Sequence, residues 1–128
     1  MEKEELKKGH TIYEDKEGNT VQISEDVIAS IAAMSMKDVK GISAVGKGMK
    51  NGIMEYFGWE DLAKGVNVEI LEDGVIVDVD VSVSLDKKIM DVSKEVQDKI
   101  QTTIKDMTDM DVIAVNVRVV GVNEAPEA

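Results

Sequence analysis

The strongest pattern in the chain is an alternation of apolar and polar positions from Val75 to Leu85. Apolar residues occupy every odd position, and from Asp78 onward every even position is polar. A period of two is typical of a β-strand with one face buried and the other in water. Valine fills most of the odd positions and suits a pleated surface. We therefore predict a central strand here, with one further layer of structure covering its odd face.

Weaker alternation predicts strands on both sides of this one. The run from Val66 to Ile70 also alternates, and Glu72-Asp73-Gly74 makes a turn, so residues 66 to 85 predict a β-hairpin. A last strand is predicted from Ile113 to Val119, and a short one at Thr20 to Ile23.

Two segments have the period of an amphipathic helix. Ser24 is a suitable N-cap for the first, which carries an apolar stripe and is expected to end at Gly41. The stripe consists of Val27, Ile28, Ile31, Ala32, Met34 and Val39. The second helix follows Lys87, with Ile89, Val92, Val96, Ile100, Thr103, Ile104 and Met107 on its apolar side. Because it connects the central strand to the last strand, we expect those two strands to be parallel.

Because each strand and each helix has a single apolar face, these elements predict an α+β fold, a two-layer α/β sandwich. It has a small mixed sheet of three to four strands with two helices on one face, in the order (β)αββαβ. The open face is expected to carry Asn67, Glu69, Asp78, Asp80, Ser82, Ser84, Asn116 and Arg118. We assign residues 1–19 to a mobile charged head that pairs weakly around Thr11 to Tyr13, residues 20–122 to a single domain, and residues 123–128 to a frayed tail.

Charge and composition exclude several classes of function. The 128 residues include 15 Lys plus Arg against 26 Asp plus Glu, a net charge of −11 that repels nucleic acid and anionic lipid. No charge-free run approaches the roughly 20 residues that a membrane-spanning helix needs, so no direct membrane insertion is expected. The first ten residues lack the apolar core of a secretory signal, which predicts a cytoplasmic protein. The absence of cysteine removes disulfides and thiolate chemistry.

The residues predict no catalytic, cofactor or metal site. Gly41 to Gly48 resembles a phosphate-binding loop until its last position, where glycine replaces the required hydroxyl, and it follows a helix instead of a strand. Glu69, Asp78 and Asp80 could surround a cation, but on an open strand face a solvated role is favoured. His10 is the only histidine and lies in the predicted head. We therefore expect no enzyme.

The stretch from Gly41 to Gly65 is rich in glycine and is predicted to be a long connection, with one helical turn near Ile53 to Phe57. Its large apolar side chains, Tyr56, Phe57, Trp59 and Leu62, are candidate protein contacts. They could equally fold back as a lid on the core, and the sequence leaves both readings open.

Several segments together resemble one family, over about residues 19 to 122. They are V-Q-I-S-E-D-V-I-A-S-I-A (21–32), V-K-G-I (39–42), L-A-K-G-V-N-V-E-I (62–70), G-V-I-V-D-V-D-V-S-V (74–83), V-Q-D-K-I (96–100) and V-N-V-R-V-V-G-V (115–122). This series is similar to the alkaline-shock-protein family of envelope and general stress response proteins of Gram-positive bacteria. The chain departs from it at Leu85-Asp86, where an aromatic-glycine pair is expected.

The resemblance implies a non-enzymatic cytoplasmic protein that acts through protein–protein contacts. It also implies possible self-association and attachment to the inner membrane face through a small membrane-anchor protein. It brings no catalytic residue and no cofactor. A regulatory subunit that binds an enzyme of lipid metabolism is the alternative, and a small-ligand-binding domain is a third reading.

Overall fold

The computed structural model describes residues 3–7, 10–45 and 64–124. Within them the elements follow one another as β1 (Lys3–Lys7), β2 (His10–Glu14), β3 (Thr20–Ser24), α1 (Glu25–Met36), β4 (Ile42–Val45), β5 (Val66–Leu71), β6 (Gly74–Ser84), α2 (Ile89–Thr108) and β7 (Val112–Asn123). The strands form two sheets, a central one of β4 to β7 and an N-terminal one of β1 to β3.

The central sheet is built around β6. On one edge, β5 pairs antiparallel with the first half of β6 from Val66 opposite Val79, and β4 pairs antiparallel with the second half from Val45 opposite Val81. On the other edge, β7 pairs parallel with β6 along almost its whole length. The structure thus confirms the β-hairpin and the parallel pair joined by a crossover helix.

Both helices contribute to the core that covers the odd face of β6. The five odd-numbered valines from Val75 to Val83 are almost completely buried, and they share one core with Ile28 and Met36 of α1 and Ile100 and Ile104 of α2. Burying one such side chain stabilises the fold by about 1.5–3 kcal/mol. The predicted α+β two-layer arrangement is confirmed.

Helix α1 begins as predicted and ends earlier. The Ser24 hydroxyl accepts a hydrogen bond from the Val27 N–H at 3.4 Å, but the helix ends at Met36, not near Gly41. Two members of the predicted stripe, Val27 and Met34, are 48% and 43% exposed. The small residues Ala29 and Ala33, next to the predicted stripe, are buried against the core together with its member Ala32.

Gly41 belongs to the turn that leads into β4. Its φ of +99° lies in the left-handed region, and a Cβ there would come within 2.8 Å of Val92 Cγ2. Glycine is therefore required both by the backbone and by the close approach of α2. The sequence predicted no strand after it, so β4 is an addition to the predicted sheet.

The N-terminal sheet also differs from the predicted mobile head. Strand β2 pairs antiparallel with both β1 and β3, where the sequence indicated only weak pairing around Thr11 to Tyr13. The β2–β3 turn is closed by Asp15, whose carboxylate accepts hydrogen bonds from the backbone N–H groups of Glu17 and Asn19 at 2.9 Å each. The division into head, domain and tail itself stays a prediction.

A single buried tyrosine ties this sheet to the end of α2. Tyr13 is 5% exposed, and its hydroxyl donates to the Thr108 carbonyl at 2.8 Å. The Thr108 hydroxyl in turn donates to the Ile104 carbonyl and accepts from the Met110 N–H. Asp109 then ends the helix with a left-handed φ of 62°. This hydrogen bond joins two distant parts of the chain, and it adds to the packing of Tyr13 and Ile23 against the core.

At the other end of β7, the last residues belong to the sheet. Strand β7 extends to Asn123, one residue beyond the predicted domain boundary. The Asn123 side chain donates to Ser43 Oγ at 2.8 Å, and its carbonyl accepts from the Leu85 N–H at 2.7 Å. The first bond connects β7 to β4 across the end of β6, and the second joins β7 to the residue that follows β6.

Candidate interaction surfaces

A band of polar side chains follows the face of the central sheet opposite the helices. Residues paired across neighbouring strands share a face, so Asp78 lies beside Asn67 on β5 and Asn116 on β7, and Asp80 lies beside Arg118. We call this band the polar strip; its members are Asn67, Glu69, Asp78, Asp80, Asn116 and Arg118.

The aspartates of the polar strip have partners within the sheet. Arg118 donates from Nε and Nη2 to the two carboxylate oxygens of Asp80, at 2.9 and 2.7 Å. Asn116 Nδ2 donates to Asp78 Oδ1 at 2.8 Å. The hydrogen bonds to Asp80, then the charge of Asp80 and that of Asp78, raise the pKa of Arg118 above its ordinary value. On the predicted open face, the charge of Asp80 is therefore balanced by Arg118, and Asp78 has a hydrogen-bond partner in Asn116.

The polar strip has no cation-binding geometry. In the part of the chain that the structure describes, no group of three or more His, Cys, Asp or Glu residues could hold a metal ion. Asp78 and Asp80 instead accept from neighbouring amide and guanidinium groups.

The open face is shorter than the sequence predicted. Ser82 and Ser84 were expected to face solvent, but both are buried, as is Ser43 on β4. At Gly121, which pairs with Ser82, an added Cβ would lie 2.9 Å from Ser82 Oγ. Strand β4 and the end of β7 thus crowd the last part of β6, and the polar strip ends at Asp80 and Arg118.

Exposed apolar side chains occur at the corner between β6 and α2. Leu85, Ile89 and Met90 are exposed there. The sequence placed Ile89 and Met107 on the apolar side of the second helix, but both are exposed because the core-facing stripe is limited to the buried residues from Val92 to Thr108. Beside this corner lies a depression of about 230 Å³ lined by Lys40, Lys87, Lys88, Asp91, Val92 and Glu95. Its three lysines are offset by two carboxylates, so the depression has only a small excess of positive charge.

The aromatic contact candidates cannot be placed relative to these surfaces. Tyr56, Phe57, Trp59 and Leu62 lie outside the described residues, as do the predicted helical turn and the second half of the glycine-rich motif. Their role as protein contacts stays a prediction.

Fold and surface together define a class of protein: a small two-layer α+β domain that presents polar and apolar surfaces around one valine-rich sheet. A family model matches residues 13–124, and the chain belongs to that family, the alkaline shock protein 23 family, which is described as having a cell envelope-related function. The match starts at the buried Tyr13 and ends just after β7.

Two relatives illustrate the range of the family. The chain is 31% identical to the uncharacterized protein YqhY of Bacillus subtilis, over 86% of this chain and 82% of the relative. It is 29% identical to the stress response regulator gls24 homolog of Streptococcus pyogenes, over 90% of this chain but only 59% of that protein. Neither the family description nor these names give an enzyme class.

No solved structure matches the chain. The helices within the described ranges are all too short or too polar to cross a membrane.

Proposed function

We propose that this protein acts without catalysis in the envelope or general stress response, through contacts with other proteins. The observation that carries the proposal is the family match over residues 13–124, whose description is cell envelope-related. The name of the Streptococcus relative, a stress response regulator homolog, supports the stress assignment. We further propose a cytoplasmic location, with a partner protein holding the chain at the inner membrane face.

The surface of the described residues is better suited to binding another protein than to catalysis. In the polar strip, Asp80 is paired with Arg118 and Asp78 accepts a hydrogen bond from the Asn116 amide. Large apolar side chains are exposed at the β6–α2 corner, and such side chains commonly contribute to protein interfaces. A contact of this kind needs no buried reactive group.

The proposed partner contact is the aromatic segment that contains Tyr56, Phe57, Trp59 and Leu62. Tryptophan and tyrosine are enriched among the residues that dominate binding energy. Trp59 is the best single probe of this proposal, because the chain contains no other tryptophan.

The test is affinity capture from native lysate, comparing the wild-type chain with Trp59→Ala. We expect the wild type to capture a membrane-embedded protein and Trp59→Ala to lose it, with the melting temperature nearly unchanged. Met107→Ala is the control, because Met107 is exposed on α2 and should keep the partner.

Two results would contradict this assignment. Capture of a soluble enzyme of lipid metabolism in place of a membrane protein would support the regulatory-subunit alternative. A large drop in the melting temperature of Trp59→Ala would place this side chain in the core instead of at an interface.

A further inference from the structure

The outer edge of β7 is the longest strand edge without a partner in the described part of the chain. Strand β7 runs for 12 residues and pairs with β6 on one side only; no described strand pairs with its other side. At about 3.3 Å per residue, this edge is about 40 Å long. A long strand edge is a template for pairing with another chain.

The hydrogen bonds of β6 show which groups of β7 point outward. The N–H groups of Val75 and Leu85 donate to carbonyls of the β7 segment, whereas those of Asp80 and Ser84 donate to residues beside β5 and β4. The backbone N–H and C=O groups of the odd-numbered β6 residues therefore point toward β7, while their side chains face the core. In a parallel pair, a residue bonds to the two neighbours of the residue opposite it. The odd-numbered β6 residues therefore bond to those β7 residues that lie opposite even-numbered β6 residues, such as Asn116 opposite Asp78 and Arg118 opposite Asp80. The N–H and C=O groups of Val115, Val117 and Val119 consequently point away from the sheet.

A side chain of α2 supports this assignment at one position. Gln97 Nε2 donates to the Val115 carbonyl at 3.1 Å, which places that carbonyl on the outer edge. A carbonyl has two lone pairs, so Val115 can still accept a second hydrogen bond. Among the described residues, no side chain donates a hydrogen bond to the Val117 or Val119 carbonyl.

The side chains along this edge are compatible with a second copy of the same strand. Residues 112 to 123 contain no carboxylate, although the chain carries a net charge of −11. Their one cation, Arg118, is already held by Asp80. On the covered face, Val117 and Val119 are only partly buried, whereas the valines of β6 are fully buried. A neighbouring strand would therefore meet half-covered valines and no like charge.

We propose that β7 pairs antiparallel with β7 of a second copy of this chain, around a two-fold axis at Val117. In this register Val117 faces Val117 of the second copy, and Val115 faces Val119 of the second copy. Each facing pair exchanges two N–H···O bonds. On the open side, Asn116 lies next to Arg118 of the second copy, so the polar strips of the two copies join. The same surface patch serves both copies, as two-fold symmetry requires.

Charge predicts the salt dependence of this dimer. The two copies, each at −11, repel one another, and added salt screens that repulsion. Association should therefore strengthen as ionic strength rises. Pairing of the same edge with a cationic partner strand would show the opposite dependence.

The test is sedimentation equilibrium of the full chain over a range of concentrations, from about 20 to about 300 mM NaCl. We expect a monomer–dimer equilibrium that shifts toward dimer with salt. Val117→Pro removes an outward N–H from each copy, and proline is tolerated at an edge strand. It should raise the dimer dissociation constant by about thirtyfold or more while keeping the folded circular dichroism spectrum.

Asn116→Pro is the matched control, because the N–H that it removes faces β6; we expect it to unfold the sheet. Met107→Ala should dimerise as the wild type does. A wild type that is monomeric at every concentration and salt would overturn the proposal, as would a folded Val117→Pro that still dimerises.

If Val117→Pro does not fold, hydrogen exchange of the wild type tests whether β7 pairs between two copies. The amides of Val117 and Val119 should exchange more slowly in concentrated than in dilute solution. Exchange rates that do not depend on concentration would overturn the pairing.

Discussion

The central and N-terminal sheets are stabilised in different ways. Strand β6 has partners on both edges and a row of valines buried beneath two helices. The N-terminal sheet is tied to the body by Tyr13 and closed by a turn around Asp15. The central sheet therefore depends mainly on many buried apolar side chains, whereas the N-terminal sheet contributes few side chains to the core and adds a small number of defined side-chain hydrogen bonds. The loss of stability caused by a substitution should therefore differ between the two regions, both in magnitude and in its dependence on pH.

The largest effect is expected beneath the central sheet. Ile100 on α2 is completely buried, and Ile100→Ala should lower the free energy of unfolding by about 2–5 kcal/mol, since it removes buried methyl groups and leaves a cavity. Urea denaturation measures this. Met107→Ala on the same helix is the control; Met107 is 63% exposed, so its loss should change stability by less than about 0.5 kcal/mol. Similar losses for both variants would contradict the proposed burial of Ile100.

A smaller effect is expected where the two sheets are linked. Tyr13→Phe keeps the buried ring and removes the hydroxyl that donates to the Thr108 carbonyl. We expect a loss of about 1–2 kcal/mol, because a buried carbonyl loses its partner. Hydrogen exchange should show faster opening of β2 and β3 with little change in β6. Equal acceleration of exchange in both sheets would mean that they unfold as one unit, which would contradict the separate stabilisation of the two sheets.

The smallest effect is expected at the β2–β3 turn, and it should depend on pH. The hydrogen bond from the Asn19 side chain, followed by the backbone bonds from Asn19, Glu17 and Gly18, lowers the pKa of Asp15 below its ordinary value. A carboxyl group with a lowered folded-state pKa stabilises the fold above its unfolded pKa, and the contribution is lost as the pH falls through the folded pKa.

Asp15→Asn should therefore lower the melting temperature slightly at neutral pH and make no difference in strong acid. Melting temperatures recorded from neutral pH down to about pH 2 test this. A wild-type advantage that persists at the acid end would show that the turn is stabilised by something other than the charge of Asp15.

The sequence predicted the elements whose own pattern is strong. Val75 to Leu85 alternates without interruption, and the stripe of α2 repeats over five turns, so both were recognisable without knowledge of their neighbours. Once the hairpin and crossover were predicted, the antiparallel and parallel pairs followed. The carboxylates of the polar strip were also predicted, because strand alternation fixes the face of each residue.

The elements that depend on tertiary contacts were not predicted. Strand β1 is rich in charged residues, and β2 has only five residues, so the sequence indicated no more than weak pairing around Thr11 to Tyr13. Strand β4 has only four residues and lies in a glycine-rich stretch. The contact between Tyr13 and Thr108 joins residues 95 positions apart, so no local signal could reveal it. The same holds for the burial of Ser82 and Ser84, which depends on what packs beside β6.

Two strands lie end to end along one edge of β6. Val45 pairs with Val81 and Val66 with Val79, so the chain leaves the sheet and returns to it at points only about 7 Å apart. Because the entropic cost of closing a connection rises only slowly with its length, these two anchor points by themselves set little limit on how long the connection between them is. The connection between Val45 and Val66 is therefore a suitable position at which to insert a reporter domain or a new binding segment.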